Sequence, residues 1–182
     1  LAALDGPFAL QEFLEARVRS APHDVAALEE PPRDADVDTD VWVYEQLRRL
    51  IRDFTSPWLV ALQASCSSTS EGCSGMAAHE WEYLCAAHGE ERQCCAIDYV
   101  THTLDATAAL LSSARHFPSR SYVPTTSLRH FGSAARRVSR CFVHAWEKHR
   151  QVFLECEAET SLYARFLALV STYDLLDTDS LP

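Results

Sequence analysis

Glycine is scarce in this chain, with only five among 182 residues. That number is too small for most glycine-rich loops that cradle phosphates, and neither a Walker loop nor a GxGxxG motif occurs. The HExxH motif of zinc proteases and the GxSxG motif of serine hydrolases are absent as well. No apolar run approaches the roughly 20 residues that a membrane-spanning helix needs. These absences argue against the common nucleotide-binding and hydrolytic enzymes and against a transmembrane protein.

Basic residues are also few in this chain. The chain has 16 basic and 26 acidic residues, and its formal net charge is −10. This balance argues against nucleic acid as the main partner, because nucleic-acid-binding proteins carry basic surfaces. A hydrophobic content of 47% is enough to bury one sizeable core, so we expect a single domain over residues 1–182. Seven cysteines do not form a disulfide framework in a chain of this size, which favours a reducing, cytoplasmic setting.

The spacing of apolar residues predicts a mainly α-helical fold. Asp5-Gly6-Pro7 predicts the start of the first helix, with proline at its first position. The acidic, proline-containing stretch 29–40 is typical of a loop, and Thr39 or Asp40 is the expected cap of a helix over 41–54. Further helices are predicted over 56–64, 96–113, 127–146 and 159–175, and a short β-hairpin over 79–96 that turns at Gly89-Glu90.

Two short pairs of residues, Cys66/Cys73 and His144/His149, have the chemistry of a metal site. Two thiolates from a loop and two imidazoles from a helical region are the ligands of a closed, tetrahedral zinc site, which is structural rather than catalytic. Positions five apart differ by about 140° around a straight helix, so both histidines cannot face one ion unless the helix breaks. The spacing therefore predicts that the helix ends or kinks near 145–148.

A rival set of ligands is Cys85-x-x-His88 together with Cys94 and Cys95, which would face each other across the predicted hairpin. Buried cysteines more often act as small hydrophobic residues, and that interpretation also applies here. The spacing leaves both sets open.

Catalysis has weaker support in the sequence. Cys141 and His144 could form a nucleophile with its base, but His144 is better used as a metal ligand. Asp98 and His102 are four residues apart on a predicted helix, a spacing more typical of a contact on the helix surface.

Three arginines, Arg136, Arg137 and Arg140, are close together on a predicted helix in an otherwise acidic chain. Their spacing of three and four residues lets all three address one patch. Guanidinium groups bind phosphate through paired hydrogen bonds, as in many phosphopeptide readers. The alternative is a solvated face that pairs with acidic neighbours. A nucleic-acid site is disfavoured, since no extended basic stripe with interleaved aromatic residues accompanies the cluster.

Together, the loop cysteines, HAWEKH (144–149) and RRVSR (136–140) resemble the Mob/phocein family, and more specifically its phocein branch. The resemblance covers nearly the whole chain, from about residue 8 to the end. It extends to ALEEPP (27–32), VWVYEQLR (41–48), YLCAAH (83–88), AIDYVTHTLD (96–105), FPSR (117–120) and HRQVF (149–153).

This resemblance implies a mainly α-helical fold around a four-helix bundle, stabilised by one structural zinc ion. The metal ligands of the family fall on Cys66, Cys73, His144 and His149, which favours this set over the rival cysteines. In one respect the chain departs from the family: six residues (SSTSEG) separate the two loop cysteines, where the family normally has four.

The function implied is that of a non-catalytic adaptor. Phocein-branch proteins belong to striatin-type phosphatase–kinase signalling complexes, in which they contact a scaffold protein, a germinal-centre-type kinase and the phosphatase assembly. The phosphate-binding residues of the family fall on Arg136, Arg137 and Arg140. The expected location is the cytoplasm, or internal membranes reached through the complex. The alternative is a Mob-type kinase co-activator.

Overall fold

The computed structural model describes residues 6–33, 35–179 and 181–182. Asp5, part of the predicted start signal, lies outside the described residues. The first helix begins two residues after Pro7 and buries Leu14 and Val18. The elements, in chain order, are α1 (Ala9–Ser20), α2 (Val25–Glu29), α3 (Thr39–Asp53), α4 (Val60–Gln63), β1 (Met76–Ala78), β2 (Trp81–Tyr83), α5 (Ala96–Leu111), α6 (Arg129–Lys148), α7 (Arg150–Thr160) and α8 (Leu162–Thr172). Two short segments connect some of them: Phe54–Leu59, which is kinked at Ser56 in an extended conformation, and a 3-10 turn (Thr125–Ser127).

Helices α3, α5, α6 and α8 surround the main hydrophobic core, as expected for a fold built around a helical bundle. Its centre is aromatic. The Phe142 ring on α6 lies 4.8 Å from the ring of Phe54 and 5.2 Å from that of Trp58, measured between centroids. Both contacts are edge-on, the arrangement that aromatic quadrupoles favour. The core thus ties the segment after α3 to the middle of α6.

Several helix boundaries differ from the prediction, and two of the differences have a clear local cause. The cap of α3 is Asp38 rather than Thr39 or Asp40, because the Asp38 carboxylate accepts hydrogen bonds from the backbone N–H groups of Asp40 and Val41. Near the C-terminal end of the chain, α7 was missed, and the predicted helix 159–175 starts too early. Ser161 separates α7 from α8 in a left-handed conformation with φ of 46°.

The hairpin was placed too late in the chain. β1 and β2 pair antiparallel, with Met76 opposite Tyr83 and Ala78 opposite Trp81, so the turn falls at residues 79–80. Gly89 lies instead in a second, longer turn that is closed by a single antiparallel bridge between Cys85 and Arg92. One bridging pair leaves this turn dependent on its side-chain contacts.

None of the helices in the described part of the chain combines the length and the apolar character needed to cross a bilayer.

Candidate metal centre and arginine groove

The first donor group consists of four residues that come from separate parts of the fold and lie close together: Cys66, Cys73, His144 and His149. Cys66 follows α4, Cys73 precedes β1, His144 lies in the last turn but one of α6, and His149 lies between α6 and α7. Their sulfur and nitrogen atoms all lie within 4.8 Å of one another. The Cys73 sulfur is 3.7 Å from Nε2 of His144 and 3.2 Å from Nε2 of His149. The Cys66 sulfur is 3.8 Å from the same His144 nitrogen.

The predicted break in the helix is present. Helix α6 ends at Lys148, and His149 leaves the helical conformation with φ of −134° and ψ of 45°. A new helix, α7, begins at Arg150. This single non-helical residue turns the His149 ring toward the His144 ring, whose centroid lies 5.5 Å away.

Both imidazoles are oriented by contacts on the side away from the thiols. Nδ1–H of His144 donates a hydrogen bond to the Ala77 carbonyl at 2.9 Å, which leaves Nε2 as the unprotonated nitrogen that faces the sulfurs. Nδ1 of His149 lies 3.2 Å from the Ser65 hydroxyl. Outer contacts of this kind fix the tautomer and the ring orientation of metal-binding histidines. The four donors can therefore hold a metal ion.

The protonation states are set by burial. Burial and the neighbouring Cys73 raise the pKa of the Cys66 thiol to about 12, so this thiol is protonated at neutral pH without a metal. Burial also lowers the pKa of both His144 and His149, which keeps the two imidazoles neutral near pH 7. A metal ion could bind the two neutral histidines directly, but it must displace the proton of the Cys66 thiol.

The long loop between the two cysteines is folded back on itself. The Ser70 hydroxyl donates to the Ser65 carbonyl at 2.9 Å and accepts from the backbone N–H of Ser67 at 3.0 Å. Gly72 has φ of +73°, a conformation that disfavours a side chain. The two additional residues are absorbed in this turn, and both thiols still reach the histidines.

A second group of donors consists of Cys85, His88, Cys94 and His102, which also lie within 4.8 Å of one another. The sequence predicted Cys95 as the fourth member, and that was wrong. Cys95 caps the start of α5, and His102, two turns along the same helix, takes its place. Rather than pairing with Asp98 on the helix surface, His102 directs Nδ1 toward the sulfurs of Cys85 and Cys94.

Arg136, Arg137 and Arg140 line one groove of about 480 Å³ between α6, α5 and the turn after β2. Arg136 and Arg137 are exposed, whereas Arg140 is half-buried. Nη1 of Arg140 donates to the Tyr99 hydroxyl at 3.2 Å, and its guanidinium lies 4.2 Å from the Tyr83 ring centroid. Among the described residues, none of the three arginines forms an ion pair with a carboxylate. The alternative of a face neutralised by acidic neighbours is thus disfavoured.

The far wall of the groove was missed in the sequence. Tyr99, His102, Thr103 and Ala106 on α5 all line it, at a spacing of three and four residues that places them on one helical face. That periodicity was a readable signal, but nothing in the sequence shows that this face meets the arginines.

Cys141 and His144 do not form a catalytic pair. The Cys141 thiol is fully buried and donates to the Arg137 carbonyl, whereas Nε2 of His144 faces Cys66 and Cys73. Burial raises the pKa of Cys141 to about 12, which makes it a poor nucleophile.

Comparison with known proteins gives consistent matches. The sequence profile of the Mob1/phocein family matches residues 18–182. MOB-like protein phocein of Caenorhabditis elegans is 41% identical over 179 residues, which cover 98% of this chain and 78% of that protein. MOB kinase activator-like 4 of Drosophila melanogaster is 38% identical over 182 residues, which cover 100% of this chain and 79% of the relative.

Proposed function

The chain belongs to the Mob1/phocein family, and from that premise we propose that it is a non-catalytic adaptor of a striatin-type phosphatase–kinase signalling complex. The whole chain, residues 1–182, would act as one domain. It would contact a striatin-type scaffold protein, a germinal-centre-type kinase and the phosphatase assembly, in the cytoplasm or on internal membranes reached through that complex. The groove with three arginines is the observation that carries this proposal.

The first part of the proposal concerns the metal. Zn²⁺ is the ion best matched to two thiolates and two imidazoles. Tetrahedral Zn²⁺, with bonds of about 2.3 Å to sulfur and 2.0 Å to nitrogen, would place its ligand atoms about 3.3–3.8 Å apart. The sulfur-to-nitrogen distances of 3.2, 3.7 and 3.8 Å are close to this range. Four protein ligands leave no position for water, so Cys66, Cys73, His144 and His149 would hold a structural ion.

The second part concerns phosphate. Arg136, Arg137 and Arg140 lack carboxylate partners in the described structure, and the groove also presents hydroxyl groups from Tyr99 and Ser133. Guanidinium and hydroxyl donors together match the acceptor oxygens of a phosphorylated side chain. Because the whole chain has a net charge of −10, an acidic peptide would favour this groove, where three guanidinium groups outnumber the one carboxylate of Glu91.

Peptide binding tests the adaptor function. Fluorescence anisotropy would compare phosphothreonine peptides from a germinal-centre-type kinase with their unphosphorylated forms. Replacing Arg137 with alanine should cost about 1.5–3 kcal/mol, the range for a hydrogen bond to a charged group, or about 10–150-fold in affinity. Arg19→Ala is the matched control, since Arg19 is an exposed arginine outside the groove. Equal affinity for both peptide forms, or an unchanged affinity in Arg137→Ala, would contradict the proposal.

A second candidate function is direct activation of a kinase, and the name of the Drosophila relative, MOB kinase activator-like 4, favours it. Of the acidic residues near the chain start, Glu15 is paired with Arg19 and Arg52, and Glu12 is exposed. A kinase activity that rises on mixing with the purified chain alone, without a scaffold protein, would favour this function over the adaptor.

A further inference from the structure

The thiols and imidazoles of the second donor group converge closely. The Cys94 sulfur lies 2.9 Å from Nε2 of His88 and 3.9 Å from Nδ1 of His102. The same His102 nitrogen is 3.5 Å from the Cys85 sulfur. Cys85 and Cys94 are buried, and the two histidines are half-buried. The rings of His88 and His102 stand nearly perpendicular, with centroids 4.8 Å apart, so each directs a nitrogen toward the cysteines.

The backbone holds these donors in place. The N–H of Cys85 donates to the Arg92 carbonyl at 2.7 Å, and the N–H of Arg92 donates to the Cys85 carbonyl at 3.1 Å. This bridge closes the turn that carries His88 and brings Cys94 back beside Cys85. The fourth donor, His102, comes from α5, which is anchored in the main core through Val100 and Leu104.

We propose that Cys85, His88, Cys94 and His102 bind a second metal ion of the Zn²⁺ type. Two thiolates and two imidazoles are a complete ligand set for tetrahedral zinc, whose ligand atoms lie about 3.3–3.8 Å apart. With both thiols deprotonated, the complex with Zn²⁺ carries no net charge, which suits its partly buried position. The family resemblance favours only the first set of ligands, whereas the structure brings the donors of both sets within 4.8 Å of one another. On metal binding, the short distance of 2.9 Å between the Cys94 sulfur and Nε2 of His88 would lengthen.

The histidine protonation supports this assignment. Desolvation and the positive charge of Arg92 lower the pKa of His88, so its imidazole is neutral near pH 7 and has a lone pair for a metal. Burial and the neighbouring Cys85 raise the pKa of Cys94, so the thiol proton must leave on binding.

The second ion would have a structural consequence for the arginine groove. Cys85 and His102 line that groove, together with Ala86, Ala87 and Glu91 from the turn. Since a single bridge closes the turn, a metal ion shared with α5 would fix the groove wall relative to the arginines on α6. This consequence depends on the proposed peptide binding, but the metal site itself does not.

Elemental analysis of the purified full chain tests the site. We expect about two zinc ions per chain in the wild type and about one in His88→Ala and in Cys94→Ser, because each replacement removes one ligand. Cys95→Ser is the matched control. Cys95 is next to Cys94 but outside the ligand set, and serine is a favourable helix cap, so this variant should retain both ions.

Two further measurements make the outcome decisive. Circular dichroism shows whether a variant is folded, and His88 is suited to this comparison because its ring is half-buried in a surface turn. Cys73→Ser should lose the first ion and keep the second, which separates failure of this proposal from failure of the first site. A single zinc ion in the wild type that is lost in Cys73→Ser, unchanged zinc in folded His88→Ala, or a Cys85–Cys94 disulfide in the intact mass would overturn the proposal.

Discussion

Arg120 fixes a segment that has no regular secondary structure. It lies between α5 and α6, and its guanidinium forms two hydrogen bonds of 2.7 Å with the Glu45 carboxylate on α3. Nη2 also donates to the Gln11 side chain of α1 at 2.8 Å. The Glu45 side chain is only 3% exposed, and Arg120 is its main charged partner, with Arg48 at a longer distance of 3.9 Å. One residue of the FPSR stretch thereby joins a loop to two helices.

Replacement of Arg120 by alanine should destabilise the protein by about 3–5 kcal/mol, because it leaves a buried carboxylate without its main partner. Urea unfolding followed by circular dichroism measures this change. Arg115→Ala is the control, since Arg115 is exposed and forms no ion pair in the described structure; it should change the free energy of unfolding by no more than about 0.5 kcal/mol. Similar stabilities of the two variants would show that solvent reaches Glu45.

Helix α6 connects the two proposed sites. The three arginines of the groove lie on it, and His144 follows Arg140 by four residues, about one turn. Because the helix ends at Lys148, His149 can join His144 at the same donor cluster. A metal ion at this end would hold α6 against the loop of Cys66 and Cys73, and would so position the arginines one to two turns away.

Helix α3, which packs against α6, starts with a cap that the sequence did not predict. Asp38→Ala should cost about 0.5–2 kcal/mol, because two backbone N–H groups lose the carboxylate that accepts their hydrogen bonds. The midpoint of urea unfolding measures the loss. Thr39→Ala is the control at the predicted but incorrect cap position and should have a smaller effect. A larger loss in Thr39→Ala would contradict the assigned cap.

At the scale of the whole molecule, the first donor cluster ties the loop after α4 to the junction of α6 and α7. These segments are far apart in sequence, since Cys73 and His144 are 71 positions apart. The loop itself contains little regular structure, and its hydrogen bonds are mostly local. A metal ion would therefore contribute stability that the hydrophobic core does not supply here.

Removal of this metal should lower the melting temperature. If zinc is present at a thousandfold excess over its dissociation constant, binding adds about 4 kcal/mol, or about 8–16 °C for a chain of this length. Thermal melts with and without a strong chelator at pH 7.5 measure the effect. Without chelator, Cys73→Ser should melt below the wild type, because it lacks the ion of this site. An unchanged melting temperature with chelator in the wild type would contradict a stabilising metal.

Lowering the pH should also lower the melting temperature. Burial lowers the pKa values of His144 and His149 in the folded chain, so the unfolded chain takes up these protons first. Stability is therefore retained above the ordinary histidine pKa of about 6.5 and is lost as the pH falls below it. Protons also compete with the metal for the thiolates. Melts between pH 7.5 and 5, with released zinc measured by a chromogenic chelator, should show both losses together.

Some features could be predicted because they depend on neighbours in the sequence. The apolar periodicity predicted most helices, the five-residue spacing of His144 and His149 predicted the break in α6, and the spacing of the arginines predicted a shared patch. Features that depend on side-chain contacts between two elements could not be predicted. The start of α8 is one example: the Glu157 carboxylate on α7 accepts hydrogen bonds from the backbone N–H groups of Tyr163 and Ala164, across the left-handed Ser161.

By itself, the sequence determined a mainly helical chain with a thiol and imidazole ligand set and a basic cluster, since residue type and spacing along one helix are local properties. Only the tertiary structure decided which residues these groups contact. It placed α5 opposite the arginines to form the groove, and it replaced Cys95 by His102 in the second donor group. The physical reason is that the packing of the whole core determines which face of each helix is buried. The spatial neighbours of a residue follow from that packing rather than from its position in the chain.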